Sequence, residues 1–245
     1  MNYRIISKPI GKGATGQVFI GMDSQNQKVA LKKINNIIEA ELEANFMKSF
    51  PPHKQLISIL DFVKEETCGY IVMDYFPGKR LGYFKKGEIW DSEKAVQITI
   101  KVLEGLQVLH EHGMLHCDIT PHNILIANHL PETVKIIDFG SSVRKNEIDE
   151  YIGPHKGATM WYRPPELRKQ ANGFSAHLNN SSDLYSAACV CLYLLNGKAP
   201  FRKRLACKQI NNEGLRKVLR KATSVDKQKR FQSAKDFIHA LLPFS

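Results

Sequence analysis

The 245-residue chain has no apolar run near the roughly 18 residues a membrane-spanning helix requires, which excludes helical membrane insertion. Its most apolar stretch, Leu184 to Leu195, is too short to span and reads as a buried helix. The opening segment, Met1 to Gly13, lacks the apolar core and small-residue cleavage site of a secretory signal. It enters strand-like sequence at once, so little is expected to precede the domain. Cysteine is sparse and odd in number: Cys68, Cys117, Cys189, Cys191 and Cys207, with no CxxC pair. That speaks against a disulfide framework and a zinc site, and for a reducing, cytoplasmic setting. Acidic residues are also short, 24 against 35 Lys and Arg, for a net charge of +11. Part of the excess lies at Arg202, Lys203, Arg204 and Lys208 and between Arg216 and Lys229. Such a surface attracts acidic peptide, nucleic acid or anionic lipid, although a solvated helical face is the simpler account. The basic–aromatic interleaving of single-strand binders is missing.

What is present is ordinary globular composition, 43% hydrophobic and 24% charged, sufficient for one large domain or two small lobes. Tyr3–Ile10, Val18–Met22 and Val29–Ile34 are strand-like, with Asp23-Ser24-Gln25-Asn26 as a turn. The period then changes: Ile38, Leu42, Phe46 or Met47 and Phe50 recur at helical spacing until Pro51-Pro52. Leu56–Val63 and Tyr70–Tyr75 are again strand-like, so the first part reads as a five-stranded sheet carrying one helix. Beyond Pro77-Gly78 the pattern turns helical, with a long amphipathic helix over Ser92–His110 entered at Asp91 or Ser92. Short strands are expected at 124–126 and 134–137, then loop-rich sequence to about Asn180, then helices.

Four segments carry chemistry. Gly11-Lys12-Gly13-Ala14-Thr15-Gly16-Gln17-Val18 reads GxGxxGxV, glycines that let backbone N–H groups lie against phosphate oxygens. Dinucleotide-binding folds share the spacing, but there a helix follows the glycines. Here Val18-Phe19-Ile20, a polar turn and Val29-Ala30-Leu31-Lys32 make a hairpin. Lys32 ends an apolar strand and needs a carboxylate to orient it. Among Glu39, Glu41 and Glu43, spacing to Met47 and Phe50 favours Glu43, with Glu39 as the alternative. His116-Cys117-Asp118-Ile119-Thr120-Pro121-His122-Asn123 offers one carboxylate to a hydroxyl and one amide oxygen to a metal. Asp138-Phe139-Gly140 follows an apolar strand, 15 residues after Asn123.

Together these segments resemble the eukaryotic-type Ser/Thr protein kinase family over nearly the whole of 1–245, and Arg230-Phe231-Gln232-Ser233-Ala234 is especially like bacterial members. The resemblance implies an α+β, bilobal fold: a small β-rich N-lobe with one helix (1–75) and a mainly helical C-lobe (76–245). It implies ATP and Mg²⁺ as cofactors and transfer of the γ-phosphoryl group to Ser/Thr hydroxyls of protein substrates. Asp118 is then the catalytic base, Asn123 and Asp138 hold Mg²⁺, and Lys32 pairs with Glu43. Gly11, Gly13 and Gly16 lie over the phosphates. Met73 is the gatekeeper, the backbone of Asp74 and Phe76 meets adenine, and Val18, Ala30 and Leu125 pack on its faces. Thr159 stands where Ser/Thr enzymes carry a threonine, and Pro164-Pro165-Glu166 stands where the family has APE. Asp183 is expected to accept hydrogen bonds from the catalytic-loop backbone, and Arg230 to lock Glu166.

Three departures qualify the resemblance. Cys117 replaces the arginine that reads a phosphorylated activation loop, so activity independent of that phosphorylation is expected. Thr120 replaces a lysine near the γ-phosphate, which predicts turnover lowered on the order of 10–100-fold. The segment after Phe201 is short, and Arg80 sits where many basophilic enzymes place a carboxylate. Ser141, Ser142 and Thr159 are candidate autophosphorylation sites, although loop hydroxyls are common and any single one is expected to stay unmodified. Two other functions compete with an active kinase: a nucleotide-binding scaffold, suggested by Cys117 and Thr120, and a small-molecule kinase, disfavoured by Glu166 and Arg230.

Overall fold

Asp23 builds the first hairpin: its carboxylate accepts the N–H groups of Gln25 and Gln27, both at 2.8 Å, while Asn26 takes φ 58°. That turn joins β3 (Gly16–Met22) to β4 (Lys28–Ile34). In the computed structural model of the chain, residues 2–13, 15–84, 87–150, 158–168, 178–201 and 203–245 are described. Ala14 and Arg202 lie outside the described residues, as do the side chains of Thr159, Lys203 and Arg204.

Two compact units divide after Pro77. The first, Met1–Pro77, is a six-stranded antiparallel sheet in the order β1-β3-β4-β6-β5, with β2 also paired to β3. The additional strands are β1 (Arg4–Ile5), β2 (Gly11–Gly13), β5 (Ile59–Lys64) and β6 (Gly69–Asp74). Five strands were expected; the first, read over Tyr3–Ile10, is reduced to β1, and the sixth is β2 in the glycine motif, the two pairing with opposite ends of β3. Helix α1 (Ile37–Lys48) starts at Asn36, whose side chain accepts the N–H groups of Ile38 and Glu39. It buries Ala40, Glu43, Ala44, Phe46 and Met47. Ile38 and Leu42, grouped by spacing with the apolar stripe, instead face water at 69% and 64% exposure. The stripe that packs is rotated onto the small residues Ala40 and Ala44, which let the helix lie close to the sheet.

The second unit, Gly78–Ser245, is mainly helical. It opens with β7 (Lys79–Arg80) and then α2 (Ser92–Glu111), capped by the Asp91 side chain on the N–H groups of Glu93 and Lys94. The apolar positions of α2 are buried, including Ile98, Leu103, Leu106 and Leu109 at no measurable exposure. Each such leucine contributes ~1.5–3 kcal/mol relative to leaving it in water. Strands β8 (Met114–Leu115), β9 (Ile124–Ile126), β10 (Lys135–Ile136) and β11 (Val143–Arg144) form two small ribbons, β10-β9-β7 and β11-β8. A short α3 (Pro165–Arg168) precedes α4 (Asn180–Asn196). Apolar on nearly every side, α4 is buried from Ser181 to Leu192 and ends at Gly197, whose φ of 64° supplies the left-handed cap. Helices α5 (Lys203–Lys208), α6 (Glu213–Ala222) and α7 (Ala234–Leu241) complete the unit. The β-rich first part and helical second part make the α+β class that the sequence implied. Among the described residues no helix is long and apolar enough to cross a membrane.

Candidate active site

In the first unit, strand register selects the residues that share a surface. Directly opposed residues of an antiparallel pair point the same way, and neighbours along a strand alternate. Val18 opposes Lys32, which opposes Ile71; Ile20 opposes Ala30, which opposes Met73. Val18, Ala30, Lys32 and Met73 therefore occupy one face. Phe19, Leu31 and Val72 turn to the other, where Val29, Leu31, Cys68, Tyr70 and Val72 form a core.

Lys32 is buried to 4% exposure, and its Nζ lies 2.7 and 2.8 Å from the two carboxylate oxygens of Glu43, itself 5% exposed. The competing glutamates are engaged elsewhere. Glu39 accepts from the Asn36 side chain at the start of α1, and Glu41 pairs with Lys64 at 2.7 Å. A buried ion pair stabilises little once desolvation is counted, so its main effect is to fix the lysine ammonium in position.

The glycine loop is a tight hairpin, with Gly11 opposite Val18 and Gly13 opposite Gly16. Gly16 takes φ 142°, and a side chain there would run into the carbonyl of Lys33. A Cβ at Gly13 would meet nothing, so the backbone there is open to a close-approaching ligand. The Asp74 N–H donates to the Ser58 carbonyl at 3.1 Å, so that donor is already committed within the unit. Phe76 is half-buried.

In the second unit, the loop between β8 and β9 carries Asp118. Its Oδ2 and backbone carbonyl both accept from Asn123 Nδ2, at 2.8 and 2.9 Å. Its Oδ1 is buried and has no hydrogen-bond partner among the described residues. Burial pushes the Asp118 carboxyl up from the usual aspartate range; His116 and Arg163 oppose this without cancelling it, and Asp138 adds to it. Ile137 N–H donates to the Asn123 carbonyl at 3.0 Å, which ties the approach to Asp138 onto the same loop. Asp138 adopts φ 68°, a conformation that non-glycine residues take at a cost of ~1–3 kcal/mol and that clusters at functional sites. Leu125 is half-buried on β9, opposite Arg80 of β7.

The loop is held from below. Asp183 accepts from His116 N and Cys117 N, each at 2.9 Å, and lies 2.9 Å from His110 Nε2. These bonds fix Cys117 at φ 64°, so the residue before Asp118 is also left-handed. The Cys117 side chain turns into an apolar cluster with Leu115, Val143, Leu167 and Leu178. Glu166 takes a two-pronged contact from Arg230, at 2.7 and 2.9 Å, and a third bond from Ser182 Oγ at 2.9 Å. Burial alone would raise the Glu166 carboxyl, but Arg230 holds it below the usual range. Arg230 also donates to the carbonyls of Ser224, Ser181 and Val225 and stacks over Tyr185.

Sequence spacing missed His110, which sits on α2 far from the motifs and meets Asp183 only through the fold. Two of the candidate loop hydroxyls are engaged by the fold. Ser141 is buried, and Ser142 Oγ donates to the His116 carbonyl at 3.2 Å.

Asn123 and Asp138 offer amide and carboxylate oxygens, the hard donors that magnesium takes. With Nδ2 committed to Asp118, Asn123 has Oδ1 as its ligand atom. The residues fit a magnesium-bound phosphate ligand.

A family model described as "Protein kinase domain" matches residues 4–244. Among curated proteins, the chain is 26% identical over 231 residues to "Sporulation protein kinase mde3" of Schizosaccharomyces pombe, an overlap of 84% of this chain and 40% of that protein. It is 32% identical over 212 residues to "MAP3K epsilon protein kinase 1" of Brassica napus, covering 82% of this chain and 16% of the relative. Against "Mitogen-activated protein kinase kinase kinase mkh1" of Cytospora mali it is 29% identical over 212 residues, 79% of this chain and 11% of the relative. The chain thus spans less than half the length of each of these relatives.

Proposed function

Because this chain belongs to the protein kinase domain family, we propose that it transfers the γ-phosphoryl group of magnesium-bound ATP to serine or threonine hydroxyls of protein substrates. The observation that carries this reading is Asp118: a carboxylate oriented by Asn123 through one oxygen, with the other buried and unpartnered among the described residues. Such an oxygen is suited to take a proton from an incoming hydroxyl. The hydroxyl oxygen then bonds to the γ-phosphorus as the bridge to ADP breaks.

Lys32, fixed by Glu43, orients the α- and β-phosphates, and the backbone at Gly11, Gly13 and Gly16 covers them. Val18, Ala30 and Leu125 pack against adenine, beside the gatekeeper Met73 and the backbone of Asp74 and Phe76. Asn123 and Asp138 would hold magnesium, which when bound supplies charge neutralisation at the β- and γ-phosphates. The side chain at 117 is packed among leucines and a valine, a poor place for a phosphate-reading cation, which supports activity independent of activation-loop phosphorylation. Thr120 is buried with its hydroxyl unpartnered among the described residues and offers no charge to the reacting phosphate, which favours slow turnover. The five cysteines are all buried, in keeping with small apolar thiols of a reducing, cytoplasmic compartment.

The test is transfer from Mg-ATP to a generic acceptor protein, beside Asp118→Asn and Lys32→Met. Both variants are expected to lose at least about 100-fold in rate, and phosphatase treatment of the intact chain to change little. A chain that binds nucleotide yet turns over no faster than its variants is a scaffold, and the proposal then fails.

A further inference from the structure

Helix α6 buries one apolar stripe, Leu215, Leu219 and Ala222, against the second unit. At about 3.6 residues per turn, Arg216, Lys217, Arg220 and Lys221 fall on the opposite side, within about 8 Å of helix length. After Glu213, every exposed position of α6 is Lys or Arg. Nearby acids are few. Glu213 meets Lys217 at 3.0 Å, Asp226 stands 3.9 Å from Lys229, and Asp236 accepts from Ser233. Arg220 and Lys221 pair with no carboxylate among the described residues. The helix dipole accounts for cations in the last turn, but not for Arg216 and Lys217. Like charges one turn apart, Arg216 with Arg220 and Lys217 with Lys221, destabilise a helix. Helix α2 avoids this outside, with Gln97–Glu93, Lys101–Glu104 and Gln107–Glu111 contacts. An anionic surface laid on α6 relieves its repulsion.

Beside these cations stands Val225, 78% exposed. Arg230 donates to the carbonyls of Ser224 and Val225, at 2.7 and 3.2 Å, and Asp226 accepts from the Gln228 N–H at 3.0 Å. This bracket of hydrogen bonds fixes the loop backbone and holds the valine out in water. Lys221 leans over Phe231, its Nζ 4.2 Å from the ring centre, which ties the end of α6 to the segment carrying Lys229.

We propose that the outer face of α6, with Val225 and Lys229, is a docking surface for an anionic bilayer. Duplex nucleic acid or an acidic peptide would satisfy the cations and leave the valine in water. A bilayer with anionic headgroups satisfies the cations and takes the apolar side chain into its interface. Charge and an apolar group are the two signals that reversible membrane adsorption combines. The apolar stripe of α6 is consumed by the core, so the helix adsorbs by its charges and does not insert. Between Ala206 and Ser245, nine Lys and Arg against three Asp and Glu supply +6 of the chain's +11. The surface stands independently of the kinase reading.

The experiment is flotation of the full chain with phosphatidylcholine vesicles, with and without phosphatidylserine. Phosphatidylserine vesicles should retain the chain, neutral ones should not, and added salt should release it. At about fivefold per cation, Lys217→Gln with Arg220→Gln should weaken binding about 25-fold. Val225→Ser should weaken it about tenfold, the scale of removing an apolar side chain from water. These side chains are exposed, so Tm and phosphorylation of a soluble acceptor should stay as they are. If the first charge variant folds poorly, Arg216→Gln with Lys229→Gln should repeat its loss. A short DNA duplex and polyglutamate serve as the rival anions. Equal retention on neutral vesicles, or binding unmoved by both charge variants, overturns the proposal. So does a loss confined to the charge variants with Val225→Ser unaffected, because the bilayer then has no apolar contact. Tighter binding to duplex or polyglutamate than to phosphatidylserine, at equal anion concentration, overturns it as well.

Discussion

Asp183 and Asp118 belong to the same unit, and both lose hydration on folding, yet the fold treats them in opposite ways. Asp183 receives two backbone N–H bonds and faces His110 Nε2, and these contacts outweigh burial to hold its carboxyl below the ordinary aspartate range. Asp118 receives a single amide on one oxygen, has its other oxygen unpartnered among the described residues, and is pushed up by burial. The difference is the supply of donors. An aspartate that anchors a loop is saturated; the one proposed to accept a proton is left short, and the anchored neighbour holds it there. Through His116 and Cys117, Asp183 sets the backbone from which Asp118 projects.

The largest effect should come from breaking the saturated member. Asp183→Ala leaves His110 and two buried backbone N–H groups without an acceptor, and should cost about 3–5 kcal/mol in urea unfolding. That is a large share of a typical domain's stability. A loss of only a few tenths would mean that the loop is anchored elsewhere. The reverse is expected at the unsaturated member. Asp118→Asn removes an ill-solvated charge while retaining an oxygen for Asn123, and should raise Tm by about 2–4 °C even as transfer is lost. A lower Tm would contradict the description of Asp118 as a carboxylate short of donors.

The smallest effect is the pH dependence of these two differences. The Asp183 carboxyl is held low when folded, so its contribution is present above the unfolded aspartate value and is lost as pH falls through the lower folded one. The Asp118 carboxyl is held high, so its protonated form favours the fold; that stability is complete below the unfolded value and is lost as pH rises through the folded one. In thermal melts from neutral pH into acid, the advantage of Asp118→Asn should therefore vanish near the ordinary aspartate range. The deficit of Asp183→Ala should persist to lower pH. Both gaps closing together would show that the two carboxyls are not held apart.

Much of this arrangement is legible in one dimension. The Lys32–Glu43 pair follows from helical spacing, which favoured Glu43 over Glu39, and the Asp183 and Glu166–Arg230 contacts are those the family resemblance implied. Other features were not legible because periodicity reports which residues share a helix face, not which face meets the sheet. Ile38 and Leu42 keep helical spacing with Phe46 and yet face water, because close packing favoured Ala40 and Ala44. The shortening of the first strand to β1 and the pairing of glycine segment Gly11–Gly13 as β2 depend on the two ends of β3, which local pattern does not encode. Ser141 and Ser142 sit in sequence that reads as an open loop, but the structure buries one and bonds the other to His116.

By itself, the sequence determined the family, the α+β division and the types of chemical group at each station, because these depend on residue identity and spacing along the chain. Tertiary structure alone decided how many donors each carboxylate receives, where the Cys117 side chain packs, and that Val225 is held outward beside the cations of α6. Donor supply, burial and charge proximity are properties of surfaces brought together by folding. They set proton affinity and ligand preference, and residues distant in sequence contribute to them as strongly as neighbours.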